Sequence, residues 1–405
     1  MSVNDRKALA VWDASLHVVN GHYELDIPFK QTPPTLPDNK KMAERRLGYL
    51  RRKMENNPEF GEKYKAGMQE YIKEGYAEKV DDEQGPAGLT WYIPHHAVFS
   101  AKKPDKLRIV FDCAAAQKGV SINNAVHRGP DFTNKMLGVL LRFREKPYVI
   151  VSDVQAMYHQ VRVTPAHRDA LRFLWYNDKG ETEIYRMCVH LFGGVWSASV
   201  ANYALKRTAE DHRQEFDGKV IDAVITNFYV DDLLQGIDTE EEGIKLANDL
   251  RRLLLLRGFN LTKWMSNSRQ ILMSIPAEHH AKDVKEIDLE HGPLPKERAL
   301  GVSWLAEEDT LQISVGNKVP RFTRRGLISH YSSVYDPLGL VTPFILIARL
   351  MYREECKLGK GWDDELEPET ERKFRRWLDR LPDMKSVTIP RCVAAKDMGN
   401  QEFSF

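Results

Sequence analysis

The chain has 405 residues, with 59 lysines and arginines against 58 aspartates and glutamates and a formal net charge of +1. At 42% hydrophobic and 29% charged residues its composition is that of a globular protein, which excludes wholesale disorder. The length predicts about two to four domains. Near-neutral charge excludes a uniformly basic protein, but not one that sorts cations and anions onto different faces.

Met1 to Asp13 contains Asp5, Arg6 and Lys7 and no apolar core, so it does not read as a signal peptide. Gln31 to Asp38 holds Pro33, Pro34 and Pro37 and predicts an extended linker. Lys40 to Lys53 predicts a basic helix: Lys40, Lys41, Arg45, Arg46, Arg51, Arg52 and Lys53 are opposed by Glu44 alone. Asn57 is placed to cap a second helix, with Phe60, Tyr64, Met68 and Ile72 on one stripe and Gly75 as its stop. Trp91 to Asp112 alternates as two strands around the polar turn AKKPDKLR. A helix opening at Thr133 or Asn134 ends before Pro147, and the apolar strand Tyr148 to Val151 delivers Asp153 at its end. EIYRMCVHLF predicts a strand broken at Gly193–Gly194, followed by a helix from about Ser197 to Glu215. ITNFYVDDLLQGI reads as a hairpin with paired carboxylates at its tip. Glu240 to Arg257 is an amphipathic helix stopped by Gly258, and FNLTKW and ALGVSWL are read as strands. The order strand–helix–hairpin–helix–strand is that of a split βαβ, ferredoxin-like sheet in an α+β protein. Beyond Lys318 the chain turns helical, and Gly361 to Glu371 carries six acids.

Cys113, Cys188, Cys356 and Cys392 are scattered without a CxxC pair, and His95–His96 and His279–His280 lack metal-ligand spacing. Reduced cysteines and an intracellular location are expected. The longest uncharged apolar run, Pro337 to Ala348, is too short to cross a bilayer, so no membrane partner is expected.

In a split βαβ sheet the strands carrying Asp153 and Asp231–Asp232 are neighbours, which crowds three carboxylates at one sheet edge. Like charges so close ionise together only if cations bind between them. Mg²⁺ suits such a site, and two such ions can clamp the attacking and leaving oxygens of a phosphoryl displacement. Taken singly, Asp153 is equally a cap and Asp231–Asp232 equally a polar turn. A plain hairpin, however, prefers Asn-Gly or Asp-Gly to an Asp pair between apolar flanks.

At these residues the sequence resembles the reverse transcriptases, and more narrowly those of Pao/BEL-class long-terminal-repeat retrotransposons. FYVDD resembles the Tyr-x-Asp-Asp box, and VSDVQAMYHQVRV the strand with the other metal-binding Asp. LFGGVWSASVANYAL is similar to the family's glycine-containing box and helix, and GFNLTKWMSN, ALGVSWL and SSVYDPLGLVTPF to its later palm, primer-grip and thumb segments. LRIVFDCAA, GPDF and VLLRFR fit the fingers. The resemblance implies a right-hand polymerase with fingers, palm and thumb and a ferredoxin-like palm. Residues 1–38 would be an N-terminal extension and linker, and 39–147 fingers with basic N-terminal helices. Residues 148–310 would be a palm with a fingers insertion, and 311–405 a thumb and connection truncated before a ribonuclease H domain.

It further implies an RNA-directed and DNA-directed DNA polymerase adding dNTPs to a primer 3′-OH. Asp153 and Asp231 would hold two Mg²⁺ ions (Mn²⁺ as substitute), with the Val154 carbonyl as a further donor and Asp232 as a less direct partner. Arg108, with Lys102 or Lys103, would meet the triphosphate. Tyr158 would exclude a ribose 2′-OH, with Phe192 and Gly193 lining the nucleotide pocket. Lys263 would donate a proton to pyrophosphate, though beside Trp264 it reads equally as a snorkelling surface lysine. Tyr229, Lys318, Arg321, Arg324 and Arg325 would contact the template–primer. Expected partners are an RNA or DNA template with its primer, dNTPs, and the protease, ribonuclease H and integrase of a polyprotein. The expected location is cytoplasmic, in a virus-like particle, or nuclear. The chain departs from the pattern at Ser197–Ala198, where the family commonly has Ser-Pro, and at the bulky Trp196. The alternative expectation is therefore a decayed or domesticated copy that binds nucleic acid without polymerising.

Overall fold

The computed structural model describes residues 1–100, 103–177, 179–316 and 318–393. The chain forms two compact units that interleave along the sequence: residues 1–133, 154–216 and 252–260, and residues 134–153, 217–251 and 261–405.

The first unit begins with the helix Val3–Ser15, whose Ser2 and Asp5 form a reciprocal capping box. Its Trp12 is fully buried against Gly129, and the hairpin His17–Val19/His22–Leu25 pairs in parallel with Arg162–Val163. Residues read from the sequence as an extension therefore belong to the body of this unit. The basic helix appears as Lys40–Asn56, and the Asn57 side chain caps Pro58–Lys73 by accepting from Phe60 N at 3.1 Å. Phe60, Tyr64 and Met68 are buried as their spacing predicts, and Gly75 leaves the helix at φ 69°. The strands His95–Ser100 and Lys103–Phe111 form the expected hairpin. A second sheet joins Ala77–Lys79, Thr182–Met187 and Arg172–Tyr176 in that order. Buried ion pairs fasten the segment that enters it: Arg172, 1% exposed, binds Asp169 at 2.7 Å, and Arg168 ties that segment to Glu24 of the first hairpin at 2.9 Å.

The second unit is built on a four-stranded sheet. From edge to edge its strands are Phe228–Tyr229, Asp232–Ile237, Tyr148–Val154 and Leu261–Ser266. Numbered along the chain, that order is 2-3-1-4, the split βαβ arrangement expected from the sequence. The strand Tyr148–Val154 is central, and Val149, Ile150 and Val151 are all buried, which explains its unbroken apolar run. The helix Glu240–Leu255 and the left-handed Gly258 that follows it match the reading closely.

Two readings are corrected. GKVIDAVIT, its last two residues read into the acidic hairpin and the rest into no element, is the helix Gly218–Thr226, with the Asp217 side chain accepting from Lys219 N. ALGVSWL is not one strand but the turn and second strand of the hairpin Lys296–Ala299/Val302–Leu305. Leu300 and Gly301 turn it at φ 48° and 85°, the paired positive dihedrals of a type I′ turn.

The chain beyond Lys318 is helical, at Arg324–Tyr331, Thr342–Lys357 and Pro368–Arg380, around a core of Leu327, Ile345, Ala348, Phe374 and Trp377. The chain then returns as the strand Thr388–Pro390, paired to Thr310–Gln312. Arg391 fastens this return. Fully buried, it forks onto Asp309 at 2.6 and 2.8 Å and donates to the carbonyls of Phe143, Lys146 and Pro147.

Candidate active site

The acidic hairpin sets Phe228 opposite Leu233 and Tyr229 opposite Asp232, which leaves Val230 and Asp231 as a two-residue loop. Val230 has φ 57°. A β-branched residue is an outlier there, and glycine or asparagine would be the unstrained choice. The strain sits where the sequence places its carboxylates, the kind of position where strained backbone collects.

In the neighbouring pair Asp232 lies directly opposite Asp153, in register and antiparallel. Like charges facing each other across strands are destabilising. Burial, then the nearby Asp231 and Asp153, push the Asp232 carboxyl up to about 7, with Glu297 adding to the rise and Lys263 opposing it. Glu297 belongs to the hairpin Lys296–Ala299/Val302–Leu305, and the sequence reading did not single it out. No local signal could have found it, because only the fold brings that hairpin near.

Lys263 makes the direct contact. Its Nζ lies 2.7 Å from Asp153 Oδ1, and its backbone is left-handed at φ 56° within the strand Leu261–Ser266. Val154, the last residue of the central strand, follows Asp153 in the chain. Two carboxylates facing across strands, with a third in the adjoining turn, offer the oxygen donors that a hard cation prefers, and the ammonium on Asp153 already answers the negative charge there. Such an ion takes one or two carboxylates and completes its shell with waters and phosphate oxygens. Among the described residues no three His, Cys, Asp or Glu side chains are grouped so as to hold a metal ion.

The first unit holds the residues expected around a nucleotide. The Tyr158 and Phe192 rings lie 4.4 Å apart, with Phe192 44% exposed. Behind them His159 is buried among Tyr71, Tyr76 and Phe192, and burial pushes its imidazole down to about 4. Gly193 has φ 116°, and a Cβ there would stand 2.0 Å from the Phe111 carbonyl oxygen, so no other residue fits without shifting the backbone. Asn123 ties this turn at both sides, donating to Gly193 O at 3.1 Å and accepting from Val195 N at 3.0 Å. Trp196 is fully buried, and its Nε1 donates to His190 Nδ1 at 2.9 Å. Its bulk is thus absorbed by the core. Arg108 is exposed on the strand Lys103–Phe111, opposite Val98. Lys103 opens that strand, and Lys102 lies outside the described residues.

The basic run before the C-terminal helices is largely engaged. Arg325 forks onto Asp363 at 2.7 and 2.9 Å, and the Arg324 guanidinium lies 5.2 Å from the Trp362 ring centroid and donates to the Lys360 carbonyl. Lys318 Nζ donates to Ser329 Oγ at 2.9 Å, while Arg321 is exposed. The acidic segment after Gly361 therefore neutralises part of this run directly.

Residues 323–404 match a family model described as "Pao retrotransposon-like RNaseH-like domain". The described part of that stretch is the three C-terminal helices and the returning strand. Comparison with curated proteins finds no match. Among solved structures the chain is similar to a foamy viral protease-reverse transcriptase dRH in complex with double-stranded DNA. The TM-score is 0.52 at 14% identity, covering 79% of this chain and 48% of that one. The chain thus spans about half the length of that protein, and at this identity the likeness is one of fold. The family match concerns the C-terminal stretch, and the structural likeness the fold of most of the chain.

Proposed function

We propose that the chain is the RNA-directed and DNA-directed DNA polymerase of a Pao/BEL-class retrotransposon. One observation carries the reading: Asp153 and Asp232 face each other in register at the end of a split βαβ sheet, with Asp231 in the adjoining turn. In the reaction the primer 3′ oxygen bonds the α-phosphorus of a dNTP, the bond to the pyrophosphate oxygen breaks, and the hydroxyl proton passes to water. Asp153, Asp231 and the Val154 carbonyl, with Asp232 alongside, would hold two Mg²⁺ ions or Mn²⁺ in their place. Bound there, the metal supplies Lewis acidity to the attacking and leaving oxygens.

The remaining roles belong to side chains. Arg108 forks onto triphosphate oxygens, and Lys102 or Lys103 adds a point charge. Tyr158, braced by Phe192, opposes a ribose 2′-OH by its bulk, and Gly193 allows close backbone approach. Lys263 donates a proton to the leaving pyrophosphate. Tyr229, Lys318 and Arg321 bear on the template–primer, and Arg324 and Arg325 contribute less because their internal partners occupy them. The double-stranded DNA in the similar foamy viral complex supports a duplex as partner. In a polyprotein the chain would work beside protease, ribonuclease H and integrase, in a cytoplasmic particle or the nucleus.

Primer extension on an RNA template with Mg²⁺ tests this reading. Wild type should extend the primer, and Asp153→Asn and Asp231→Asn should lose about a thousandfold or more. If wild type extends no better than Asp231→Asn, the polymerase reading is wrong. Duplex binding retained under that result would identify a decayed copy.

A further inference from the structure

Two deeply buried arginines of this protein share a form. Arg391 and Arg172 are buried guanidiniums, each serving a carboxylate and several carbonyls at once. The pair between Lys263 and Asp153 is built differently. The Lys263 side chain is 62% exposed and the Asp153 side chain 20% exposed, and a single 2.7 Å contact to Oδ1 joins them. Lysine is a hydrated point charge on a flexible stem, without the fork that locks arginine onto a carboxylate. Yet the backbone at Lys263 takes φ 56°, a conformation that L side chains rarely adopt, within the strand beside Asp153. The neighbouring Thr262 hydroxyl donates to the Asp153 carbonyl at 3.4 Å, so the two strands meet at this step.

We propose that Lys263 is a built-in, displaceable counter-ion: its ammonium holds Asp153 Oδ1 in the metal-free protein and yields that oxygen to a divalent cation. The proposal rests on the reading of Asp153 as a metal ligand. Three carboxylates at one end of the sheet need positive charge at all times. An exposed ammonium supplies it between catalytic cycles and, once displaced, turns off the carboxylate with little rearrangement, free to meet the leaving pyrophosphate. A buried arginine in the same place would compete with the metal permanently.

Mn²⁺ binding to the full chain, followed by electron paramagnetic resonance at low salt, tests the proposal without any turnover. Lys263→Met should bind the first Mn²⁺ roughly three- to fivefold more tightly than wild type, the scale of a partly exposed ion pair. Lys263→Arg should bind it more weakly than wild type. In EDTA, Lys263→Met should melt below wild type, and added Mn²⁺ should close that gap. Unchanged or weaker Mn²⁺ affinity in a folded Lys263→Met protein would overturn the counter-ion role. Asp153→Asn separates the two levels of inference. If it leaves wild-type Mn²⁺ binding intact, Asp153 is no ligand and the underlying reading fails. If it abolishes binding while Lys263→Met does not tighten it, only the counter-ion proposal fails.

Discussion

Replacing Asp232 by asparagine should make the protein more stable in alkaline solution and leave it nearly unchanged in acid. Burial, Asp231 and Asp153 raise the Asp232 carboxyl from 3.8 to about 7 in the folded protein. Between those values the folded state holds a proton that the unfolded state has released, so stability falls as pH rises through the window. Above about 7 both states are ionised and the full penalty is present; below about 4 both are protonated and it vanishes. Three pKa units correspond to about 4 kcal/mol, and halving this for the remaining solvent contact leaves about 2 kcal/mol. Asparagine carries no charge to bury. Thermal melts followed by circular dichroism should therefore place Asp232→Asn about 4–8 °C above wild type near pH 8, with the curves converging near pH 4. Millimolar Mg²⁺ should raise the wild-type midpoint near pH 8 and narrow the gap, because a bound cation offsets the same repulsion. An equal difference at both pH values, or an asparagine variant less stable near pH 8, would refute the electrostatic account of the site.

Arg391→Ala should destabilise the protein by about 3 kcal/mol in urea titrations, since it takes the guanidinium from Asp309 and a donor from the carbonyls of Phe143, Lys146 and Pro147 at once. Arg391→Lys should restore only part of that loss, because one ammonium cannot reach all of those acceptors. Val230→Gly should raise the melting midpoint by a few degrees, a net gain of about 1 kcal/mol. It relieves a left-handed β-branched residue at the cost of glycine's greater freedom when unfolded. No gain there would mean that the turn is unstrained.

The carboxylate face of the site was legible because its signals are local. Val149 to Val151 announce a buried strand, Asp153 interrupts it, and the apolar flanks of Asp231–Asp232 mark a hairpin. Strand order followed from the sequence of elements, since few topologies accommodate it. Elements held by distant partners were not legible. The helix Gly218–Thr226 did carry a local signal, since Val220, Ile221, Val224 and Ile225 fall at helical spacing behind the Asp217 cap, but its β-branched residues run straight into the hairpin and read as part of it. Leu300 does not announce a turn, so ALGVSWL read as continuous. The cations at 324–325 look unpaired in sequence because Asp363 lies 38 residues away. The Lys263–Asp153 contact was invisible for a similar reason: it depends on a backbone reversal that no lysine signals.

Arg391 also decides how the central strand answers to load. Its guanidinium holds the carbonyls of Phe143, Lys146 and Pro147, the root from which Tyr148–Val154 springs. Asp153 stands roughly 20 Å along from that clamp. The strand is thus a beam fixed at one end, with its acid at the other. The helices Arg324–Tyr331, Thr342–Lys357 and Pro368–Arg380 feed into the clamp through the Thr388–Pro390 strand. A pull on that helical segment would reach the sheet at its anchored root, and the acidic tip would keep its aim.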